Sequence, residues 1–282
     1  MTLNLDPRQR AMLAEMGVRV WSPAEKAPAP VAAAATAIAT APVAPLATAP
    51  MPMTERLPPR TSAPVTTPTP AAPAPVALSA LPTGWASMDW AALHGAAASC
   101  KSCGLCEGRQ NSLFANRHVA PGEQVNWLIV GDAPTQAEDL AGQAFVDDEG
   151  VLLDAILHAL GLSRAGTDSK VVITSAVKCH PPANRNPAAE EIAQCQHYLK
   201  RQIELLQPQV VLALGRFAAQ ALLHDSLGEA ATQPLGKLRG QVHAAHGTRV
   251  VVSYHPTYLL RSPSEKAKAW ADWCLAKSLV GD

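Results

Sequence analysis

Four apolar runs constrain the fold of this chain more than any other feature. They occupy residues 125–132, 170–177, 208–215 and 248–256. Their near-continuous hydrophobicity is typical of strands buried on both faces of a parallel sheet. The segments with helical periodicity between and after them are 150–161, 186–208, 215–224 and 262–280. This alternation predicts an α/β domain, a three-layer sandwich with a mainly parallel four-stranded central sheet and helices on both faces.

Proline divides the chain into parts. Of the 25 prolines, 15 fall between residues 22 and 82, among Ala, Thr and Val. Such a stretch cannot build a packed core and predicts a disordered linker, and its prolines interrupt every apolar run long enough to span a membrane. We therefore expect a short N-terminal segment (1–21), the linker (22–82) and one domain (83–282). The N-terminus lacks a basic-then-apolar signal pattern, which predicts a cytoplasmic protein.

Polar motifs follow three of the predicted strands. They are GDAPT (131–135), KCHPPANR (178–185) and YHPTYLL (254–260). Ligands of open α/β sheets bind at the carboxyl ends of the strands, so the motifs predict one common site. Asp132 in the first motif has two interpretations, a turn residue that caps a helix or a catalytic carboxylate.

All six cysteines lie in the predicted domain. Cys100 and Cys103 form a C-x-x-C pair, and Cys179 and Cys195 supply a second pair across a loop and the start of a helix. In a reducing compartment, thiols with this spacing are typical metal ligands. Four of them fit either structural zinc or a four-iron cluster. Cys106 extends the first pair and competes as a ligand.

The sixth cysteine, Cys274, has a simpler interpretation. It lies in a predicted amphipathic helix beside Trp270 and Trp273. Buried free thiols behave as small apolar side chains. We therefore expect Cys274 to be a core residue.

Taken together, the motifs resemble the type-four, iron–sulfur uracil-DNA glycosylases. They appear in order between residues 97 and 275: CKSCGL, IVGDAPTQAEDLAGQAFV, VKCHPPANRNPAAEEIAQC, ALGRFAAQALL, KLRG and YHPTYLLRSP. The resemblance implies a uracil-DNA glycosylase-like fold and a repair enzyme that hydrolyses the N-glycosidic bond of uracil in DNA. It also implies a [4Fe–4S] cluster on Cys100, Cys103, Cys179 and Cys195, which leaves Cys106 outside the ligand set.

The resemblance implies roles for individual side chains as well. Asp132 positions or activates water, Phe145 stacks on the flipped base, and His255 stabilises the departing uracil anion. The remaining predicted base-binding residues are Gly131, Ala133 and Ser175. The domain carries 17 Lys and Arg against 19 Asp and Glu, so DNA has to meet a local basic patch. The predicted DNA-binding residues are Lys178, Asn184, Arg185, Lys237, Arg239 and Arg261.

The sequence departs from the family's pattern at four places. Thr135 replaces a glycine, three acidic residues (147–149) stand where neutral or basic ones are usual, and His180 replaces an arginine. Ser175 stands where the family generally has an asparagine whose amide reads the uracil edge. Losing a buried, hydrogen-bonded base contact costs about 1–3 kcal/mol.

Three hypotheses follow from these departures. The first is an active uracil-DNA glycosylase with weaker activity or altered base selectivity. The second is a catalytically impaired glycosylase-fold module that binds DNA or recruits other proteins. The third is an unrelated metal-binding domain.

The N-terminal segment predicts a partner. Residues 1–21 combine a short amphipathic helix, a glycine and a tryptophan at the end of the linker. A tethered apolar motif of this kind is typical of a docking peptide. It faintly resembles the N-terminal segment of the bacterial DNA polymerase III psi subunit, which contacts the clamp loader. The alternative is a helix that folds back on its own domain. We expect a monomer that binds uracil-containing DNA and no membrane.

Overall fold

The computed structural model describes residues 12, 78–79, 84–120, 122–166 and 169–281. Within this part of the chain, five strands form one sheet with the order β2-β1-β3-β5-β4. The strands are β1 (Trp127–Gly131), β2 (Val171–Ser175), β3 (Val210–Leu214), β4 (Val242–Ala245) and β5 (Thr248–Ser253). The first three and β5 run parallel, and β4 pairs antiparallel with β5.

The sheet confirms the predicted α/β class and all four predicted strands but has one strand more. The additional strand is β4, which forms a hairpin with β5 at the edge of the sheet. Only the last of its four residues is buried. A short edge strand exposed to solvent carries no continuous apolar run, so the pattern that revealed the four central strands could not reveal it.

Helices cover both faces of the sheet. They are α1 (Trp90–Ala98), α2 (Gln136–Ala141), α3 (Asp147–Ala159), α4 (Ala189–Leu206), α5 (Arg216–Leu227), α6 (Leu235–Leu238), α7 (Pro256–Arg261) and α8 (Lys266–Ser278). The four predicted helices correspond to α3, α4, α5 and α8. The short helices α2 and α7 begin directly after the GDAP and His255 motifs, and so they position the strand-end residues.

Alternate residues of each strand face two separate hydrophobic clusters. Leu128 and Val130 of β1 join a cluster that also contains α1, α4, α5 and three cysteines, and we call this side the cysteine face. Trp127 and Ile129 join the other cluster, packed against α3, α7 and α8, and we call it the aromatic face. Trp127 stacks on Trp273 of α8 there, with ring centroids 6.2 Å apart. The period-2 alternation of a strand thus divides the domain into two distinct cores.

Three described residues before Gly84 contact the domain: Met12, Leu78 and Ser79. Leu78 forms an isolated antiparallel bridge with Cys103, and the Ser79 amide donates to the Ser102 carbonyl at 2.9 Å. The linker was predicted to extend to residue 82, so contacts with the domain begin earlier than expected. Met12 packs against the cluster of the aromatic face. The other residues of the predicted docking segment lie outside the described part of the chain.

None of the described helices combines the length and the apolar character needed to cross a membrane.

Candidate functional site

Five cysteines line one small cavity on the cysteine face. Three parts of the chain bring them together: the loop after α1 carries Cys100, Cys103 and Cys106, the loop after β2 carries Cys179, and α4 carries Cys195. The other side chains around the cavity include Ser102, Lys178, Gln194 and Tyr198. Cys274 instead packs against the cluster of the aromatic face, as the sequence predicted. The cavity thus contains the four predicted metal ligands together with Cys106.

Donors point at two of the cysteine sulfurs. The Lys178 backbone amide donates to Cys195 Sγ at 3.3 Å, and Arg109 Nη1 donates to Cys179 Sγ at 3.4 Å. Burial raises the pKa of Cys179 to about 11 and that of Cys195 to about 12. Buried thiols of this kind are neutral by themselves, and binding to a metal is what stabilises them as thiolates. The hydrogen-bond donors suit sulfur ligands that carry negative charge.

The cavity offers sulfur ligands for a metal centre. The four predicted ligands are all thiols, and this donor set suits either structural zinc or an iron–sulfur cluster. Within the described residues, no group of three or more His, Cys, Asp or Glu side chains stands in an arrangement that would hold a metal ion.

Lys178 was predicted to contact phosphates, and the structure contradicts this. Its side chain is 1% exposed, and its ammonium donates to Thr174 Oγ1, the Ser175 carbonyl and Gln202 Oε1. Burial lowers the pKa of Lys178 to about 8, although Cys195 and Cys179 act in the opposite direction. The residue is therefore part of the cysteine face rather than of a DNA-binding surface.

Phe145 lies on the aromatic face and is held in an unusual backbone conformation. Its φ is 56°, in the left-handed region that residues other than glycine rarely adopt. The Phe145 amide donates to Glu138 Oε1, and its carbonyl accepts from Arg164 Nη1 at 3.0 Å. Arg164 is fixed in turn by its ion pair with Asp154. Strain held by surrounding contacts is typical of functional sites.

Two glycines make room for Phe145. A Cβ on Gly131 would lie 2.8 Å from Phe145 Cζ, and a Cβ on Gly150 would collide with the Phe145 carbonyl. Ser175 is the partner of Gly131 in the parallel pairing of β1 with β2, so both residues present the same face of the sheet to the aromatic ring. The Ser175 hydroxyl donates to the Leu113 carbonyl at 3.2 Å. Ala133, the other predicted base-binding residue, packs against the cysteine-face cluster instead.

His255 stacks on Phe145, with ring centroids 5.2 Å apart and an interplanar angle of 27°. It is the N-cap of α7, where its Nδ1 accepts from the Thr257 amide at 3.4 Å. Because Nδ1 accepts, the proton of the neutral ring lies on Nε2, which remains a donor. Burial lowers the pKa of His255 to about 4, and the charge of Arg261 acts in the same direction. The ring is therefore a neutral hydrogen-bond donor near pH 7.

Asp132 caps a helix, but not the one that follows it in sequence. Its Oδ1 accepts from the amides of Phe217 and Ala218 at 2.8 and 2.9 Å, in the first turn of α5. Gly215 makes this possible, because a Cβ there would collide with the carboxylate. Burial raises the pKa of Asp132 to about 6, against the lowering effect of the helix amides. The Arg216 amide also stabilises the ionised carboxylate, and Oδ2 is the oxygen that the amides of Phe217 and Ala218 do not contact.

The loop between Cys179 and α4 is fixed by side-chain pairs. His180 Nε2 lies 2.7 Å from Asn184 Oδ1, and Asn184 has a φ of 53°. Arg185 pairs with the buried carboxylate of Glu191 through both of its terminal nitrogens. Asn184 and Arg185 are both exposed. The loop therefore presents Asn184 to solvent while Arg185 braces it against α4.

The other predicted DNA-binding cations differ in exposure. The guanidinium of Arg239 pairs with the buried Asp272 and lies over the Tyr254 ring, 4.6 Å from its centroid. Lys237 and Arg261 are exposed. Arg239 is therefore a structural residue in this conformation, whereas Lys237 and Arg261 are accessible to a polyanion.

Comparison with known proteins places this arrangement in a family. The sequence profile described as "Uracil DNA glycosylase superfamily" matches residues 119–274, more than half of the chain. The chain belongs to the uracil-DNA glycosylase superfamily. It is 36% identical over 192 residues to a "Type-4 uracil-DNA glycosylase" of Pyrobaculum aerophilum, covering 66% of this chain and 91% of that protein. The type-4 protein of Archaeoglobus fulgidus is 34% identical over 190 residues, with coverage of 65% and 89%.

A second type within the superfamily is also similar. The "Type-5 uracil-DNA glycosylase" of Pyrobaculum aerophilum is 40% identical over 159 residues, covering 52% of this chain and 68% of that protein. The two type-4 matches given above extend over more of the chain than this one. The matched region, residues 119–274, includes the three strand-end motifs.

Two departures from the superfamily pattern have structural roles. Thr135 forms a capping box with Glu138 at the start of α2: each side chain accepts from the backbone amide of the other. The acidic residues Asp147, Asp148 and Glu149 occupy the first turn of α3, where negative charge is stabilised by the helix dipole. Thr135 therefore stabilises the start of α2, whereas burial and the neighbouring carboxylates raise the pKa of Glu149 at the start of α3.

Sequence reasoning missed several residues that build the site. Glu138 and Arg164 hold Phe145, Gly215 makes room for Asp132, and Arg109 contacts Cys179. The Thr135–Glu138 spacing was a readable signal, because S/T-x-x-E before an apolar run predicts a capping box. The other three act through contacts distant in sequence, for which a single chain gives no signal.

Proposed function

We propose that this superfamily member is a DNA repair glycosylase that hydrolyses the N-glycosidic bond of uracil in DNA. The observation that carries the proposal is the stacked Phe145–His255 pair at the carboxyl edge of the sheet, where Asp132 directly follows β1. A glycosylase must hold a flipped base, stabilise its departure as an anion and supply water to the sugar. This pair and Asp132 offer one group for each task.

Phe145 is the residue that would hold the flipped base. Glu138 and Arg164 fix its backbone, and because Phe145 is 1% exposed, a flipped base would have to displace a present neighbour to stack on it. Stacking on an aromatic ring is worth about 1–3 kcal/mol per base. Ser175 is the strand partner of Gly131, which lies against this ring, and because its hydroxyl donates to the Leu113 carbonyl, its oxygen would accept from a base N–H. An acceptor alone reads less of the uracil edge than an amide does.

His255 is the residue that would stabilise the departing base. The uracil anion carries negative charge on its ring oxygens, and the Nε2–H of a neutral imidazole would donate to one of them. The contact of Nδ1 with Thr257 fixes this tautomer. Because the low pKa keeps the ring neutral near pH 7, it would stabilise the anion without fully protonating it.

Asp132 would serve the sugar side of the reaction. Its Oδ1 is anchored by two amides of α5, which leaves Oδ2 to orient a water molecule towards C1′. The carboxylate would also stabilise positive charge that develops on the sugar ring. This role requires the ionised form.

The ligand set that we propose for a [4Fe–4S] cluster is Cys100, Cys103, Cys179 and Cys195. When bound, the cluster supplies a covalent brace that joins the loop after α1 to the loop between β2 and α4. The chain itself adds the sulfur contacts of Arg109 and the Lys178 amide.

DNA would contact the exposed cations and the loop around the same edge. Asn184, Lys237 and Arg261 are accessible there, and Arg185 is exposed although it is paired with Glu191. Phosphate contacts of this kind position the duplex and weaken as salt rises. The near-neutral charge of the whole chain requires such a local surface.

The deciding experiment is a uracil-release assay on single- and double-stranded DNA that contains uracil. We expect release of free uracil, and an increase in rate for Ser175→Asn, because the amide restores a donor beside the base. DNA binding without any release, even at enzyme excess and for Ser175→Asn, would favour the catalytically impaired module. Release at equal rates by both proteins would show that position 175 does not read the base.

We also propose that residues 1–21 provide a docking segment for the replication clamp loader. The contact of Met12 with the aromatic-face cluster supports the alternative, a segment that folds back on its own domain. Met12→Asp in the full chain separates the two. Docking predicts loss of clamp-loader retention with unchanged thermal stability, and folding back predicts a lower unfolding temperature with unchanged retention.

A further inference from the structure

A pair of tyrosines lies beside His255 and reaches the surface. Tyr254 directly precedes His255, and Tyr258 lies in the first turn of α7, where its amide donates to the His255 carbonyl at 2.9 Å. The two tyrosine rings contact each other, with centroids 4.9 Å apart and an interplanar angle of 41°. Tyr258 is 39% exposed, and so is Leu260. The Tyr258 ring is therefore accessible to a partner that stacks on it.

The inner ring of this pair is supported from within the domain. Arg239 lies over the Tyr254 ring, 4.6 Å from its centroid, and its Nε and Nη2 donate to Asp272 Oδ2 at 2.9 and 2.7 Å. Asp272 is buried on α8, so the ion pair fixes the guanidinium. A cation over an aromatic ring attracts it, most strongly where both are shielded from water. Arg239 thus holds Tyr254, and Tyr254 packs against Tyr258.

Exposed cations flank the pair. Arg261 follows Tyr258 by three residues on α7, a spacing that makes the two side chains neighbours on the helix surface. Lys237 follows Gly236, and a Cβ on that glycine would lie 4.0 Å from the Tyr254 hydroxyl. Both cations are exposed, and neither forms an ion pair within the described residues. The aromatic surface is therefore bordered by positive charge.

An aromatic ring beside a cation matches the two parts of a nucleotide. A base stacks on the ring, and the cation contacts a phosphate of the same strand. Glu265, which interacts with Tyr254, is neutralised by its ion pair with Lys268 at 2.8 Å. In a duplex the bases already stack on one another, so an unpaired base is the one that offers its face to Tyr258.

We propose that Tyr258 is a stacking surface for an unpaired base next to the uracil, and that it makes single-stranded DNA the preferred substrate of this site. The inference rests on the proposed function, which supplies the flipped uracil, and it adds a contact for the neighbouring base. Because Tyr258 lies within one helical turn of His255, a base adjacent to the uracil is within its reach. Arg239 contributes by supporting Tyr254 rather than by contacting phosphate.

The first test measures binding of uracil-free DNA to the full chain, so it does not depend on catalysis. Fluorescence anisotropy gives the affinity for one labelled oligonucleotide as a single strand and as a duplex. We expect Tyr258→Ala to weaken single-strand binding about five- to 100-fold, the loss typical of one base–aromatic contact, and to leave duplex binding unchanged. Tyr258→Phe keeps the ring and is the matched control, which should bind both forms as the wild type does.

The second test detects the stacking itself. The fluorescence of 2-aminopurine falls when it stacks on an aromatic ring, so this base is placed on either side of a 2′-fluoro-deoxyuridine in a single strand. The fluorine prevents cleavage because it destabilises a cationic sugar. We expect the wild type and Tyr258→Phe to quench one of the two positions and Tyr258→Ala to restore the fluorescence. Arg261→Gln should keep the quenching and reduce the salt slope of binding by about one.

Equal single-strand affinities of the wild type, Tyr258→Ala and Tyr258→Phe would overturn the proposal. An equal loss on single strand and duplex would also overturn it, because Tyr258 would then be a general DNA contact. The proposed function fails on a different result, the absence of uracil release. Uracil release with unaltered DNA binding by Tyr258→Ala would reject only the stacking surface, whereas Tyr258-dependent single-strand binding without release would reject only the glycosylase activity.

Discussion

The two faces of the central sheet hold their functional groups in different ways. On the cysteine face, residues far apart in sequence meet around one cavity, where the proposed cluster would join them. On the aromatic face, Phe145 and His255 are fixed by the chain's own hydrogen bonds, from Glu138, Arg164 and Thr257. The difference predicts that loss of the proposed metal strongly destabilises the cysteine face. The aromatic face should be affected only through the end of β2, which the two faces share.

The largest effect should come from the cysteine ligands. Cys179→Ser or Cys195→Ser should lose the metal and most of the folded protein, because binding energy at a structural metal site is folding energy. Iron content, visible absorbance and thermal unfolding measure this. Cys106→Ser and Cys274→Ser are the matched controls and should keep their iron. Iron loss from Cys106→Ser but not from Cys100→Ser would place Cys106 in the ligand set.

His255→Ala tests the aromatic face. Removing one preorganised donor to a developing anion typically lowers kcat about 10²–10³-fold, and we expect a fall of this size with iron content unchanged. Single-turnover uracil release and iron analysis measure the two quantities. Thr257→Ala, which loses only the hydroxyl contact to Nδ1, should cost much less. A normal rate for His255→Ala would remove the histidine from the proposed mechanism.

The pH profile distinguishes Asp132 from His255. Burial raises the pKa of Asp132 to about 6, and its proposed role needs the ionised form, so kcat/KM should fall about tenfold per pH unit below that value. His255, with a pKa of about 4, stays neutral through this range. Asp132→Asn should be slow at every pH and lose this acid limb. An unchanged limb in the variant would assign the titration to another group.

The smallest effect should come from the capping box of α2, where one substitution changes protein stability alone and another also changes the position of Phe145. Thr135→Ala removes the N-cap of α2 and should cost about 1 kcal/mol of stability with little effect on rate. Glu138→Ala removes the same capping box and also releases the Phe145 amide, so it should lower the rate as well. Urea unfolding paired with uracil release measures both. Equal rates for the two variants would show that the ring does not depend on Glu138.

The sequence predicts those parts of the fold that depend on local pattern. Continuous apolar runs identify β1, β2, β3 and β5, and the strand-end motifs locate Asp132 and His255. It fails for Lys178, because a charged residue beside a loop is ordinarily exposed, and only the acceptors from β2 and α4 make its burial tolerable. It fails for Arg239 in the same way, since its partner Asp272 lies 33 residues further along the chain. Charge pairs distant in sequence leave no periodic signal.

The bridge between Leu78 and Cys103 has a mechanical consequence. Together with the hydrogen bond from Ser79 to Ser102, it attaches the N-terminal arm to the domain beside two of the cysteines. Tension on the arm, as when a tethered partner pulls away, would load this bridge before it reached the strand ends that surround Phe145. The cysteine loop would therefore receive the pull before the strand ends do.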